Sequence, residues 1–509
     1  MNGFVRLMPV AAALGVMVPG PARALDDATA ASVLAYANQQ LAATAVRVPP
    51  QEAPSTTAAD GSWHTVANDD PVNWIQGFFA GSNWVLYDLT RDPLAKARAA
   101  QWTRALEAQK TNTQTHDLGF KMYLSFGHAY RTTGDPYYKD VLLTAAASLA
   151  FRFDSTVGAV ICCDWNPAWH RPTVVDTMMN LELLLWGAQN GGPATWRGMA
   201  VSHALKTLAD MVRSDGSTYH VVDYSAAGDI LSRGTLQGYA DSSTWTRGQA
   251  WAIYGYTMLY RYTADARMLA AARKVTDYYL RRLGADPIPN WDFDAPAQQK
   301  DSSAAAAVAS ALFELSGFVP DPDRQRYLQA ATSMLDALAS SRYLAQGTPS
   351  RSILLHGVGN LPAGQAIDVG LVYGDYYFLE ALARRPPASV TPPDAGPNDA
   401  GPEDAGAIDA GTGSNDAGSI DAGSPDGGPS IADAGAPPDA GVVDLPADAG
   451  VPDAGVGAVP PVATPPPPKA ATGGCATTGD AGFLAGLVIG FALFLRRRRL
   501  QPLLPRYAG

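Results

Sequence analysis

The chain is poor in charge, in cysteine and in strand-like alternation, and each shortage removes a class of protein. Only 17% of its 509 residues are charged, and no basic patch appears before Arg496–Arg499, so no nucleic-acid partner is expected. Three cysteines are too few for a disulfide framework. The adjacent pair Cys162-Cys163 has no metal-ligand spacing; it is read as buried thiols, with a strained vicinal bridge as the alternative. Neither a metal nor another cofactor is expected. Strand signals are confined to Tyr219–Tyr224 and Ser352–His356, enough for short hairpins in loops and not for a sheet-based core.

What is present is apolar helix. At 47% hydrophobic the chain can bury a large core. Residues 1–24 carry Arg6, an apolar run Leu7–Val18 and Ala22-Arg23-Ala24 as a small-x-small cleavage site, the pattern of a secretory signal peptide. From Leu25 to Arg385 two kinds of helical segment alternate. Six have one charged face: Ala28–Val46, Pro93–Gln109, Pro136–Arg152, Thr195–Arg213, Ala264–Leu283 and Pro322–Ser341. Between them lie six with almost no charge, which must be inner helices: Gln76–Leu89, Asp117–Tyr130, Asp176–Ala188, Arg247–Tyr262, Ser302–Leu315 and Gly370–Leu382. Three outer helices open on Asp92-Pro93, Asp135-Pro136 and Asp321-Pro322, each expected to cap its helix through the Asp. The fold expected for residues 25–385 is all-α, an (α/α)6 toroid of six helical hairpins whose inner-helix starts surround one cavity. An open superhelix is the alternative.

Residues 386–472 are dominated by Pro and by recurring Asp-Ala-Gly, and are expected to form a disordered linker. Between Asp394 and Asp453 stand 12 Asp and Glu403 with no Lys or Arg, so the net charge of −11 resides mostly there and says little about the substrate. Residues 473–509 hold Gly473-Gly-Cys475, the apolar run Ala481–Leu495 and Arg496–Arg499. That run of about 15 residues is short for a membrane span, and a processed anchor is expected. The segment resembles the C-terminal sorting tags of myxobacterial surface proteins, which implies Cys475 as the processing and attachment site. Export and sorting machinery and the membrane are thus expected partners, with the protein at the cell surface or outer membrane, or in the periplasm.

The stretch Leu236–Tyr256 sets Gln237 before a helix and Arg247 and Trp251, four apart, on one helical face. Arg can hold a carboxylate by two parallel hydrogen bonds and Trp offers a flat face to a pyranose ring, so the ligand read from this stretch is an acidic sugar. The competing reading makes Trp245, Trp251 and Tyr254 core residues and pairs Arg247 with a buried Asp. Asp117 and Asp176 each stand at the start of an apolar inner helix. Either could simply cap it, but together they could do acid/base chemistry, with a neighbouring like charge raising the pKa of the acid. Trp74 and Trp251 are the candidate aromatic walls, and Trp291 fits either reading.

Asn73-Trp-Ile-Gln-Gly-Phe-Phe-Ala-Gly81, THDLGF from Thr115, VVDTMMNLE from Val174, QGYADSSTWTRGQAW from Gln237, WDFDAP from Trp291 and Val372-Tyr-Gly-Asp-Tyr-Tyr-Phe378 together resemble the unsaturated glucuronyl hydrolases, glycoside hydrolase family 88. The resemblance runs in order from Trp74 to Leu382. It implies an (α/α)6 barrel that, without metal, removes a 4,5-unsaturated uronic acid from the non-reducing end of oligosaccharides released by lyases. An acid protonates C4 of the vinyl ether, water adds at C5, and the hemiketal rearranges with loss of the sugar. By the same resemblance Asp176 is the general acid/base and Asp117 the second carboxylate, while Trp74, His116, His220, Gln237, Arg247 and Trp251 contact substrate.

Two positions depart from the family pattern, Leu236 where His is common and Cys162-Cys163-Asp164-Trp165 where a Trp is common. Both bear on substrate recognition. The alternatives are an unsaturated rhamnogalacturonyl hydrolase and a noncatalytic surface carbohydrate-binding protein.

Overall fold

The computed structural model describes residues 25–163, 166–296 and 298–387; the segments expected as a signal peptide over 1–24, as a linker beyond residue 387 and as an anchor with Cys475, and Trp165, lie outside the described residues. The charged-face segments form the outer helices α1 (Asp27–Ala45), α3 (Pro93–Arg104), α5 (Pro136–Ala150), α7 (Thr195–Asp210), α9 (Ala266–Leu283) and α11 (Asp323–Leu338). The apolar segments form the inner helices α2 (Gly77–Thr90), α4, α6 (Leu181–Gln189), α8 (Thr246–Thr263), α10 (Ser302–Ser316) and α12 (Val372–Arg384). α4 is composite, a π-helix over Gly119–Gly127 running into His128–Thr133. A 3-10 turn, Val175–Met179, leads into α6.

Burial follows the charge pattern. Outer helix α9 buries Met268, Ala271, Ala272, Val275 and Tyr279, one stripe at helical spacing. Inner helix α10 buries every residue but Glu314. Sequential pairs pack inner on outer (α2 with α3, α6 with α7, α8 with α9, α10 with α11). Each inner helix also touches the next, and α12 returns to α2, which closes the inner helices into a ring. The seam is tied by Arg385, which donates to Leu25 O at 2.5 Å and to Asp27 Oδ1 at 2.7 Å, and by Leu25 N, which donates to Asp336 Oδ1 at 2.8 Å.

Aspartates cap as expected at Asp92, which accepts from Leu94 N, and at Asp135, which accepts from Tyr137 N. The third Asp-Pro differs: α11 starts at Asp323 behind Pro322, with no side-chain cap. Strand is limited to loops. The Tyr219–Tyr224 signal becomes the middle strand of a small antiparallel sheet of β5 (Arg171–Val174), β6 (Val221–Tyr224) and β7 (Ile230–Gly234). The Ser352–His356 signal precedes its hairpin, β8 (Gly357–Asn360) with β9 (Gln365–Val369). Two further hairpins, β1 (Glu52–Thr57) with β2 (Trp63–Ala67) and β3 (Phe153–Asp154) with β4 (Ala159–Val160), carried no alternation to announce them.

The inner ring is tight enough that side-chain size decides who fits. A Cβ at Gly77 would stand 2.1 Å from Phe120 O and 2.5 Å from Lys121 O, backbone atoms of α4 that cannot give way. Gly77→Ala is therefore expected to destabilise the domain by about 1–3 kcal/mol through overpacking. Gly198, on the outer helix α7 with nothing within 4 Å of a built Cβ, should gain about 0.5–1 kcal/mol as Ala. Thermal unfolding of the two variants reads the opposite signs.

Candidate active site

A cavity opens at the starts of the inner helices. Seven of the eight residues expected to meet substrate or act on it line this cavity: Trp74, His116, Asp117, Asp176, His220, Gln237 and Arg247. Trp245, Leu236, Cys163 and Phe120 complete much of the wall.

Trp251 is not in that wall. It is 1% exposed and lies beneath Phe120 and Tyr377, with ring centroids 5.6 and 5.4 Å away. The helical spacing does put it on the inner face with Arg247, but one turn deeper the inner face is core. The indole that reaches the cavity from this stretch is Trp245, which stacks on His220 at 4.3 Å. Trp291 is core as well, 1% exposed, and its neighbour Asp292 braces the Gln237 loop by accepting from Tyr239 N and Ser243 Oγ.

Trp74 sits on the loop ahead of α2, against Phe78, Phe120 and Tyr373. That loop is held from below. Buried Lys121 donates to Asp70 O and Pro71 O, and Gln109 to Asn68 O. Burial pushes the Lys121 ammonium down to about 8.

Neither carboxylate caps a helix. Asp117 precedes the π-helix of α4, where Leu118 occupies the cap position without a side-chain bond. Its Oδ2 accepts from Thr115 Oγ1 at 2.9 Å and faces His116 Nε2 at 3.5 Å, while Oδ1 accepts from Asn180 Nδ2 at 3.3 Å. Asn180 turns its other end to Phe120 N at 2.8 Å, so one amide holds both the start of α4 and the carboxylate. On its far side His116 meets Thr177 Oγ1 through Nδ1 at 2.9 Å. Thr177 and Asn180 lie one and four residues from Asp176 within the same motif, and a 3-10 start is what turns them toward α4.

Asp176 stands in that 3-10 turn. His220 Nδ1 accepts from Leu236 N at 3.3 Å and meets Thr235 Oγ1 at 3.1 Å, which leaves the ring proton on Nε2, aimed at Asp176 Oδ2 from 3.4 Å. At that length the contact is electrostatic more than a hydrogen bond, and Oδ2 has no shorter partner. Burial alone would raise the Asp176 carboxyl. The Nε2–H of His220, with the electrostatic pull of His220, His116 and the Arg247 guanidinium, outweighs it and holds the group below the ordinary carboxylate range. The expected rise from a neighbouring like charge is thereby corrected: the His220 donor and the nearby positive potential dominate, and the resting form is the carboxylate.

Arg247 also departs from expectation. Its guanidinium is 1% exposed and its terminal nitrogens are taken, Nη1 by Asp301 Oδ2 at 2.8 Å and Val358 O at 2.5 Å, Nη2 by Gly359 O at 2.7 Å. Three of its five N–H donors are used in this way, and the pairing with a buried Asp is what occurs. Nε has no hydrogen-bond partner. Gln237 is moored to the same strand, Nε2 to Gly359 O at 3.3 Å. Cys162 and Cys163 are both free and buried, as thiols.

No family model matches the chain. Similar proteins are nonetheless clear. An unsaturated glucuronyl hydrolase of Formosa agariphila is 43% identical over 331 residues, covering 63% of this chain and 81% of the relative. A crystal structure of an unsaturated glucuronyl hydrolase specific for heparin is 39% identical, with a TM-score of 0.68 over 70% of this chain and 97% of that one. An aspartate-to-asparagine variant of the Streptococcus agalactiae enzyme, complexed with dGlcA-GalNAc6S, is 29% identical, with a TM-score of 0.62 over 71% of this chain and 92% of that one. Identity at this level across four fifths or more of each known protein, on a helical ring with two carboxylates in its cavity, means that the chain belongs to the unsaturated glucuronyl hydrolases.

Proposed function

We propose that the chain is a glycoside hydrolase of lyase-generated oligosaccharides, releasing a 4,5-unsaturated uronic acid from their non-reducing end, and that its closed ring of paired helices is an (α/α)6 toroid. The observation that carries the chemistry is Asp176 Oδ2, buried in the cavity with no short partner of its own. An oxygen so placed can take a proton and give it up. In the resting protein Asp176 is a carboxylate. An arriving uronate brings its own negative charge into the cavity, which favours the protonated form of Asp176 and so loads the acid when substrate is bound.

Asp176 then protonates C4 of the vinyl ether, and positive charge develops at C5 and the ring oxygen. Asp117, fixed as an acceptor by Thr115 and Asn180, is suited to stabilising that charge. Water adds at C5 with loss of its proton to the Asp176 carboxylate, and the hemiketal opens with departure of the sugar. Trp74 and Trp245 supply flat walls, and Arg247 contributes a fixed positive charge and its unpartnered Nε–H.

Outside this domain, we read residues 1–24 as a secretory signal, 386–472 as a spacer and 473–509 as a sorting anchor processed at Cys475, which puts the enzyme at the cell surface. Cys475→Ala should release or redistribute the protein on cell fractionation. An unchanged, uncleaved C-terminus in the inner membrane would contradict this reading.

Loss of ultraviolet absorbance on unsaturated disaccharides from glycosaminoglycan lyases tests the activity, and it should proceed in the presence of a chelator. Asp176→Asn is expected to lower kcat by roughly 10² to 10⁴-fold with substrate binding retained, and Asp117→Asn to be severely impaired. Turnover of saturated glucuronides with no action on any unsaturated disaccharide would exclude the hydration route.

His220 supplies a pH test with a definite sign. Because His220 lowers the Asp176 carboxyl, His220→Asn should raise it, and the protonated acid should persist to higher pH. The descending limb of the kcat/KM profile is expected to move to higher pH, whatever the loss in binding.

A further inference from the structure

The loop after β4 brings two thiols against the cavity wall. Cys162 Sγ, Cys163 Sγ and a ring nitrogen of His116 all lie within 4.8 Å of one another, and all three residues are buried. The arrangement is built rather than incidental. Arg152 donates Nε to Ile161 O at 2.8 Å, Nη2 to Cys162 O at 2.7 Å and Nη1 to Thr113 O at 2.7 Å, so one guanidinium ties the cysteine loop to the segment leading into His116. Cys162 N adds a bond to Pro172 O at 2.9 Å. Val174 and Val221 close an apolar shell around the pair.

Two thiols and an imidazole make a soft donor set, suited to Zn²⁺ or Cu⁺ and poorly suited to Mg²⁺ or Ca²⁺. Around tetrahedral zinc, bonds of about 2.3 Å to sulfur and 2.0–2.1 Å to nitrogen set ligand atoms roughly 3.5–3.8 Å apart. Contraction by at most about 1.3 Å, within reach of side-chain rotation, would complete the set. Cys163 and His116 border the cavity while Cys162 stands behind, so a fourth coordination position would face the substrate space.

We propose that Cys162, Cys163 and His116 form a binding site for a thiophilic d10 cation, and that its occupancy shuts the active site down. Zn²⁺ would displace one proton from each thiol, releasing two to solvent, and the two thiolates would balance its charge. His116 contributes one nitrogen. To do so it must give up either Thr177 Oγ1 or the approach to Asp117 Oδ2, and a cation then sits beside the catalytic carboxylates.

The test uses the full chain carrying Cys475→Ser, which removes the third and last cysteine. Anaerobic titration with Co²⁺ should produce a thiolate-to-cobalt charge-transfer band saturating at one ion per chain, and Zn²⁺ should bleach it. Cys162→Ser, outside the cavity wall, should lose the band and weaken Zn²⁺ binding by roughly tenfold or more. Zn²⁺ should suppress turnover of an unsaturated disaccharide in the parent and spare it in Cys162→Ser. Absence of the band in the parent would overturn the site without reference to activity or to the folding of any variant. Equal zinc affinity in parent and Cys162→Ser would overturn it too, and a bound ion that leaves turnover untouched would overturn the inhibitory role.

Discussion

The cavity depends on one ion pair with no access to water. Arg247 and Asp301 are 2.8 Å apart with side chains 1% and 0% exposed. Removing either partner would strand a buried charge, at a cost of roughly 3–5 kcal/mol. Asp301 also caps α10 through Ser303 N and Oγ and accepts from Val358 N at 3.4 Å, while Arg247 bonds the carbonyls of Val358 and Gly359. A single contact thus sets the register of α8 against α10 and pins the β8 strand over both. The same guanidinium is one of the charges that keep Asp176 ionised, so the bond that holds the wall also conditions the acid.

Two carboxylates of one residue type are held differently because their surroundings differ. Asp117 has both oxygens committed as acceptors, to Thr115 and to Asn180. Asp176 has a bare oxygen, a histidine at arm's length and a side chain 20% exposed. The first is built to stay put and the second to exchange a proton. The division arises because α4 and α6 both start irregularly, one as a π-helix and one from a 3-10 turn. A regular first turn would have offered its backbone N–H groups to both aspartates.

Much of this was legible before any coordinates. The twelve helices follow from charge periodicity, because a helix without a polar face has nowhere to be but inside. Asp117 and Asp176 stood out for the same reason, as charges at the mouths of helices that otherwise have none. What sequence reasoning missed was long-range or irregular. The partner of Arg247 lies 54 residues on, and nothing local marks it. Trp251 was chosen over Trp245 by an i, i+4 rule that finds a common face but not its depth. β1 carries Pro54 and a run of small polar residues, so its pairing with β2 reflects the neighbouring helices more than its own propensity. Asn180 and Thr177 were inside a motif already quoted, but their roles needed the turn geometry. His116 joined the adjacent cysteines only once Arg152 was seen to draw their two loops together.

The seam at Arg385 and Leu25 has a consequence for topology. A ring whose first and last residues touch has no privileged opening: the contact that closes it could as well be a peptide bond. Joining residue 385 to residue 25 through a short linker, and cutting instead at the exposed turn around Gly191 or Gly347, both at positive φ with open space about them, would leave the inner helices and the cavity in place. The order in which the chain visits the ring is then a matter of history, while the ring itself is a matter of packing.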